Sequence, residues 1–335
     1  MKTAKANQLA SVTTDAPCWV ISDGAAGNEA QALALARALG LVPRVISLQV
    51  SHPWDWLAPR LRLAARRGMH DRHGGVIASP WPTIAIGCGR RAALLTRCLR
   101  DWSDQQCFTV QILDPRIAPA HFNVVIAPQH DHLPGDNVIE TLGGLNAVDE
   151  AWLADGRSEF PSFSKLAGPR RAVLIGASNA SIALDDAYFE ALFAALERLH
   201  ARHGGCFLVS TSRRTSRKQV ERLRKEFSRW PGIFWGGSGD GENPYRGILG
   251  WAEQFIVSGD SVNMISEACA TARPVHVFAP IPATGKIGSF HQTLLDQGYL
   301  TSVDGLADAA SIKPLRETAR VAAQVRQQWL HATKR

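Results

Sequence analysis

The segment Val257-Ser258-Gly259-Asp260-Ser261-Val262-Asn263-Met264-Ile265-Ser266-Glu267-Ala268 carries residue types suited to a phosphorylated sugar. An apolar run ends in Ser-Gly, as a strand does on entering a turn. Asp260 or Ser261 can then cap a helix. A helix start leaves backbone N–H groups unpaired, and these favour an anion. At helical spacing Val262, Ile265 and Cys269 form one apolar stripe, with Ala268 beside it. Glu267 falls off that stripe, almost two turns in. A carboxylate there can accept hydrogen bonds from a ribose diol while the helix start faces a diphosphate. A glutamate on the wet face of an ordinary helix fits the same spacing.

Other polar residues gather where apolar runs end. Asp23-Gly24-Ala25-Ala26-Gly27-Asn28 follows the run Cys18–Ser22. Its glycines permit a tight turn and close approach to a ligand. It does not match G-x-G-x-x-G, so a dinucleotide site is disfavoured. Asp23 is either a base, a hydroxyl-binding group or part of an ordinary corner. Asp114, His130 and Asp131 also follow strand-like runs and are acid/base candidates. His130-Asp131-His132 lacks a further ligand cluster, so no metal site is expected. Arg213 and Arg214 follow Cys206–Ser210, where either one of them pairs with a phosphate oxygen or both belong to a solvated basic surface continuing into the next helix. Lys286 in Thr284-Gly285-Lys286 lacks P-loop spacing and is read as a loop contact to a donor.

These positions require a particular scaffold. Strands are expected at Cys18–Ser22, Arg44–Val50, Thr83–Ile86, Phe108–Leu113 and Phe122–Ala127, with helices at about 29–39 and to about 100. After an irregular stretch at 150–168 the alternation restarts, with strands at Ala172–Ile175, Cys206–Ser210, Ile233–Trp235, Gln254–Val257 and Val275–Ala279. Such alternation builds parallel sheets that bind ligands at the carboxyl ends of their strands. The expected fold is α/β, with two Rossmann-like domains facing across a cleft. The boundaries are residues 1–160 for the acceptor side and 161–312 for the nucleotide-sugar side. Residues 313–335 form a helix that can pack back on the first domain. His52 to Arg67, rich in Trp, Leu and Arg, reads as a core-packed helix with a basic edge or as a membrane-surface segment.

Composition narrows the partners. The chain has 335 residues and a formal charge of +7, which favours anionic ligands. No zinc-finger spacing or RNP-type strand is present, so nucleic acid is not an expected partner. The six cysteines form no C-x-x-C pair and read as small buried hydrophobes. Residues 1–17 lack the apolar core of a signal peptide, and no apolar run is long enough to span a bilayer. The expected location is the cytoplasm, with peripheral contact to the inner membrane face as an addition.

The stretches SDGAAGNEAQ, QILDPR, APQHD, VIETLGGLN, VLIGASN and SGDSVNMISEA together resemble one bacterial family. Its members are called mitochondrial-fission-like after a plant relative and are also described as GT-B glycosyltransferases. With ARPVHVF and GKIGSFHQTLLDQG, the last stretch is also similar to the donor half of the lipid-linked N-acetylglucosaminyl transferases of peptidoglycan synthesis. The resemblance runs from about Cys18 to about Gly298. It implies that Ser258, Gly259 and Ser261 lie against a diphosphate and that Glu267 holds the ribose. It implies that Gln292 and His291 touch the donor sugar. Gly176, Ser178 and Asn179 would line the phosphate side. Asp23 and Asn28 stand where the peptidoglycan enzymes have a Gly-rich loop ending in His, which leaves the base open. The implied activity is sugar transfer from a nucleotide-sugar to a cell-envelope or lipid-linked acceptor, with the nucleotide-sugar as substrate and no further cofactor. A nucleotide-sugar 2-epimerase and a non-catalytic interaction scaffold are the competing readings.

Overall fold

The computed structural model describes residues 16–302 and 312–333 and divides the chain into two compact units. The opening fifteen residues, considered above for a signal peptide, lie outside the described residues, as do 303–311. The first unit comprises Met1–Ala147 and Glu317–Arg335, and the second Val148–Arg316.

The first unit is built on a seven-stranded sheet of order β3-β2-β1-β4-β5-β6-β7. The strands are β1 (Cys18–Ser22), β2 (Pro43–Val50), β3 (Met69–Asp71), β4 (Ile84–Cys88), β5 (Phe108–Ile112), β6 (Val124–Pro128) and β7 (Val138–Thr141). Only β3 runs antiparallel. Strands β1, β4, β5 and β6 are buried along their whole length, because helices cover both faces of a parallel sheet. Strand order reverses between β1 and β4. Helix α1 (Ala26–Ala38) follows β1 and ends at Gly40, whose φ of 78° suits glycine. Helix α1 begins before the residue expected, so Gly27 and Asn28 belong to its first turn. The stretch after β2 is not a continuous helix. It forms the short α2 (Trp54–Leu57) and a tight 3-10 turn at Ala65–Gly68, because Pro53 and Pro59 interrupt any longer ladder. Helix α3 (Arg90–Trp102) follows β4.

The second unit has an all-parallel sheet of order β10-β9-β8-β11-β12. Its strands are β8 (Arg170–Ile175), β9 (Cys206–Thr211), β10 (Gly232–Trp235), β11 (Gln254–Ser258) and β12 (Val275–Phe278). Here the order reverses between β8 and β11. The helices are α4 (Glu150–Glu159), α5 (Asp186–His203), α6 (Arg217–Phe227), α7 (Tyr245–Trp251), α8 (Val262–Ala270) and α9 (Gly285–Asp296). Asp149, Asp185 and Ser261 cap α4, α5 and α8, and Ser216 with Gln219 forms a capping box on α6. Helix α4 packs on α7 within this unit, which moves the division from the expected 160 to Val148. Glycines make that packing close. A Cβ on Gly156 would meet the Arg246 carbonyl oxygen at 2.5 Å, and one on Gly250 the Leu153 oxygen at 2.8 Å. Arg246 then reaches Asp155 and Glu159 on α4 at 2.7 and 2.5 Å. Gly156→Ala is expected to cost about 1–3 kcal/mol by overpacking, measured by urea melts.

After Arg316 the chain returns to the first unit as α10 (Thr318–Ala332). Val321, Ala322, Val325 and Trp329 join the core formed by α1 and by β1, β4, β5 and β6. Glu317 clips its start in place, accepting from the Leu142 and Gly143 amides at 2.7 and 3.1 Å. The six cysteines are all free and buried. Burial pushes the Cys18, Cys98, Cys107 and Cys269 thiols up to about 12, so they pack as hydrophobes.

Candidate functional site

In the second unit the ends of β8, β9 and β11 are tied around one buried carboxylate. Asp260 is 5% exposed. Its Oδ1 accepts from the Ser258 hydroxyl at 2.6 Å and its Oδ2 from the Ala177 amide at 2.9 Å. Ser258 Oγ accepts in turn from the Gly176 amide at 2.8 Å. Asn179 donates to the Asp260 carbonyl at 3.1 Å, and Thr215 to the Gly176 carbonyl at 2.8 Å. Gly176 is required here, since a Cβ would collide with the Asp260 carboxylate. Burial raises the Asp260 pKa, while the bonds from Ser258 and Ala177 and then the Arg214 charge oppose the rise. Asp260→Ala would orphan the Ala177 amide and the Ser258 hydroxyl. It is expected to cost about 2–4 kcal/mol, read by chemical denaturation.

Helix α8 leaves this knot with Ser261 as its cap, accepting from the Met264 amide at 3.4 Å. Glu267 lies six residues further, about 9 Å along the axis. Its carboxylate is partly buried and accepts from the Tyr245 hydroxyl at 2.6 Å through Oε2. Its Oε1 has no protein partner among the described residues. Burial pushes Glu267 up to about 7, and the Tyr245 bond partly offsets this. Tyr245 opens α7 directly after the Gly-rich run from Gly236.

Helix α9 brings His291 against the same turn. A Cβ on Gly259 would lie 3.0 Å from the His291 ring. His291 is 8% exposed, and its Nε2 has no hydrogen-bond partner among the described residues. Desolvation lowers its pKa, with the Gly259 backbone opposing. His291 and Gln292 line a groove of about 400 Å³ with His276, Leu295 and Thr301. Gln292 is exposed and donates to Asp296 at 2.7 Å, and Lys286 is exposed in the first turn of α9.

Three of the expected donor-site residues are placed as follows. The Ser258 side chain is buried and its hydroxyl donates to Asp260. Ser178 Oγ accepts from the Leu184 amide at 2.9 Å and shapes its own loop. Arg213 is exposed and has no side-chain partner among the described residues, whereas Arg214 lies 3.8 Å from Asp260. Tyr245 and the structural role of Asp260 were absent from the sequence reading. Aspartate after Ser-Gly reads as a cap, and a tyrosine after a Gly-rich loop has no distinguishing pattern.

In the first unit, Asp23 Oδ1 accepts from the Ala25 amide at 3.1 Å and from Asn28 at 3.3 Å. Asn28 packs on Gly89, so the loops after β1 and β4 touch at the reversal of strand order. Helices α1 and α3 start there without side-chain caps. Asp114 Oδ1 accepts from the Arg116 amide at 2.7 Å and forms a turn after β5. His130 and Asp131 occupy a 3-10 turn after β6. Strands β1 and β6 are three places apart, roughly 14 Å. The four candidates therefore line one edge of the sheet and do not form a single hydrogen-bonded cluster. Among the described residues no three His, Cys, Asp or Glu side chains are grouped to hold a metal ion.

The family model described as Mitochondrial fission ELM1 matches residues 26–329. The chain belongs to the mitochondrial fission ELM1 family. The Arabidopsis thaliana mitochondrial fission protein ELM1 is 27% identical, over 92% of this chain and 90% of that protein. Among solved structures, the S. aureus MnaA–UDP complex matches 96% of this chain and 98% of its own, at TM-score 0.55 and 12% identity. The UDP-GlcNAc 2-epimerase from Neisseria meningitidis bound to UDP-GlcNAc matches 92% and 98%, at TM-score 0.50 and 11% identity. These likenesses give this ELM1-family chain an α/β fold with parallel sheets, shared with enzymes of nucleotide-sugar chemistry.

Proposed function

We propose that the second unit binds a nucleotide-sugar and that the chain transfers its sugar to a cell-envelope or lipid-linked hydroxyl. The carrying observation is Glu267, a partly buried carboxylate with one oxygen held by Tyr245 and the other without a partner among the described residues. It lies on the helix whose start follows the Gly259–Ser261 turn. A ribose diol at the open oxygen would place the diphosphate toward that start, where the amides and Arg214 offset its charge. The buried His291 Nε2, beside Gly259, supports a further hydrogen bond to the donor. Leaving-group charge would be met by these groups. In the first unit, Asp23, Asp114, His130 and Asp131 are the groups that could take the proton from an acceptor hydroxyl if transfer inverts. A lipid-linked acceptor implies peripheral membrane contact.

The test is a thermal-shift series with UDP-, GDP-, ADP- and CMP-sugars. A donor at about one hundred times its Kd adds about 2.7 kcal/mol of stability. No shift with any of them at millimolar concentration would sink the proposal. The likeness to a 2-epimerase supports a second reading, isomerisation of the donor without an acceptor. Product analysis separates the two. Released nucleoside diphosphate with an extended acceptor means transfer, and an isomerised nucleotide-sugar means epimerisation.

A further inference from the structure

Arginines on α3 hold the stretch after β2 by its backbone. Arg90 donates to the carbonyls of Asp55, Trp56 and Ala58 at 2.8, 3.4 and 3.2 Å, and Arg97 to that of Pro59 at 3.1 Å. Arg91 takes both carboxylate oxygens of Asp55, at 2.5 and 3.1 Å. Trp54 turns inward, donating to the Leu63 carbonyl at 2.9 Å while its ring packs on Gly68. The loop is thus fixed from beneath, and what it presents outward is apolar and cationic.

Seven large apolar side chains are exposed among the described residues, and three of them sit on this loop. Trp56 is 71% exposed, Leu57 50% and Leu63 82%. Arg60 and Arg67 are exposed among them, and the Arg67 side chain has no partner among the described residues. From His52 to Arg67 there are four arginines and one aspartate, and Arg91 already neutralises that aspartate. Aliphatic tips need hydrocarbon, whereas guanidinium groups need phosphate. A nucleic acid would satisfy the second requirement and leave Leu57 and Leu63 in water. An anionic bilayer satisfies both, with Trp at headgroup depth, Leu in the acyl boundary and Arg on lipid phosphates.

We propose that the loop carrying Trp56, Leu57 and Leu63 docks the chain on an anionic lipid bilayer, with Arg60 and Arg67 on headgroup phosphates. This names the surface for the membrane contact in the proposed function. The loop belongs to the first unit and the donor residues to the second, so vesicles alone serve as the ligand and no nucleotide is required.

The full chain is sedimented with vesicles of phosphatidylcholine, and with vesicles of phosphatidylcholine mixed with phosphatidylglycerol. Binding is expected only to the mixed vesicles. It should weaken as salt shortens the screening length from about 10 Å at 0.1 M to about 3 Å at 1 M. Trp56→Ser with Leu63→Ser should lower the vesicle partition by about ten-fold. Arg60→Gln with Arg67→Gln should reduce both the partition and its salt dependence. These side chains are exposed, and an unchanged melting temperature confirms that each variant is folded. Absence of binding to the mixed vesicles, or equal binding by folded wild type and the Trp56/Leu63 variant, would overturn the proposal. Concentration-dependent dimerisation abolished by that variant, without vesicle binding, would reassign the patch to a second copy of the chain. Loss of vesicle binding leaves a thermal shift by nucleotide-sugar intact, so failure here and failure of the donor reading are told apart.

Discussion

Replacing Trp329 with alanine is expected to lower stability by about 3–5 kcal/mol, a large part of what a domain ordinarily possesses. Trp329 is 4% exposed, and its ring centroid lies 6.2 Å from that of Phe108 on β5. It belongs to one continuous core with Val321 and Val325 of α10, Leu35 of α1 and Val110 of β5. The core of the first unit is therefore completed by residues almost two hundred positions downstream of β7. Ending the chain at Arg316 would remove that face and free the Leu142 and Gly143 amides from Glu317. The truncated chain is expected to lose the cooperative melt of the first unit and its near-ultraviolet circular dichroism. Trp329→Phe supplies the control. The indole Nε1 has no hydrogen-bond partner among the described residues, so phenylalanine removes a buried unpaired donor along with some volume. It should cost markedly less than alanine in urea melts. Equal losses for the two variants would mean that the aromatic packing is not what holds α10.

The alternation of strands and helices was legible because buried parallel strands are short apolar runs bounded by small or polar residues. Cys18–Ser22 and Gln254–Ser258 are of this kind. The edge strands β3 and β7 were not legible. Met69–Asp71 and Val138–Thr141 are short and half-exposed, and their pairing comes from neighbours distant in sequence. The turn after β11 was legible in outline, since Ser261 does cap α8. Which hydroxyl is tied to the Asp260 carboxylate was not. Ser258 and Ser261 look alike in sequence, and only the approach of Gly176 and Asp260 consumes the first. Glu267 stood out by its place off the apolar stripe. Its partner Tyr245 lies on another helix, and a contact between helices leaves no period in either. The Trp-, Leu- and Arg-rich run from His52 to Arg67 suggests a helix by composition, whereas Pro53 and Pro59 break it into the short α2 and a 3-10 turn. The division at Val148 depends on α4 choosing α7, a choice made by Gly156 and Gly250 through space.

Glu267→Gln is expected to weaken nucleotide-sugar binding by about 10- to 100-fold, the ordinary worth of hydrogen bonds to a charged acceptor. Glutamine keeps the shape and an oxygen for the Tyr245 hydroxyl, so the loss reports charge and not collapse of the site. The same substitution should act on stability with the opposite sign. Burial raises the folded-state pKa of Glu267 from 4.5 to about 7, so the folded chain binds a proton that the unfolded chain has released between those values. Stability contributed by the protonated carboxyl is present in full below about 4.5 and is lost as pH rises to about 7. Above that, ionised Glu267 costs the folded state up to roughly 3 kcal/mol, which glutamine would not. Glu267→Gln should therefore be more stable than wild type at about pH 8, with the difference fading toward about pH 5, in denaturation at each pH. Donor affinity of the wild type should run the other way. An ionised carboxylate accepts from both ribose hydroxyls, and its population grows about ten-fold between about pH 6 and pH 8 when the pKa lies near 7. Calorimetric titration across that range should show affinity rising with pH in the wild type and flat in the glutamine variant. Parallel pH profiles would remove Glu267 from the donor site, even if the variant's stability followed the predicted course, because burial alone accounts for the stability term and only contact with a ligand accounts for the other.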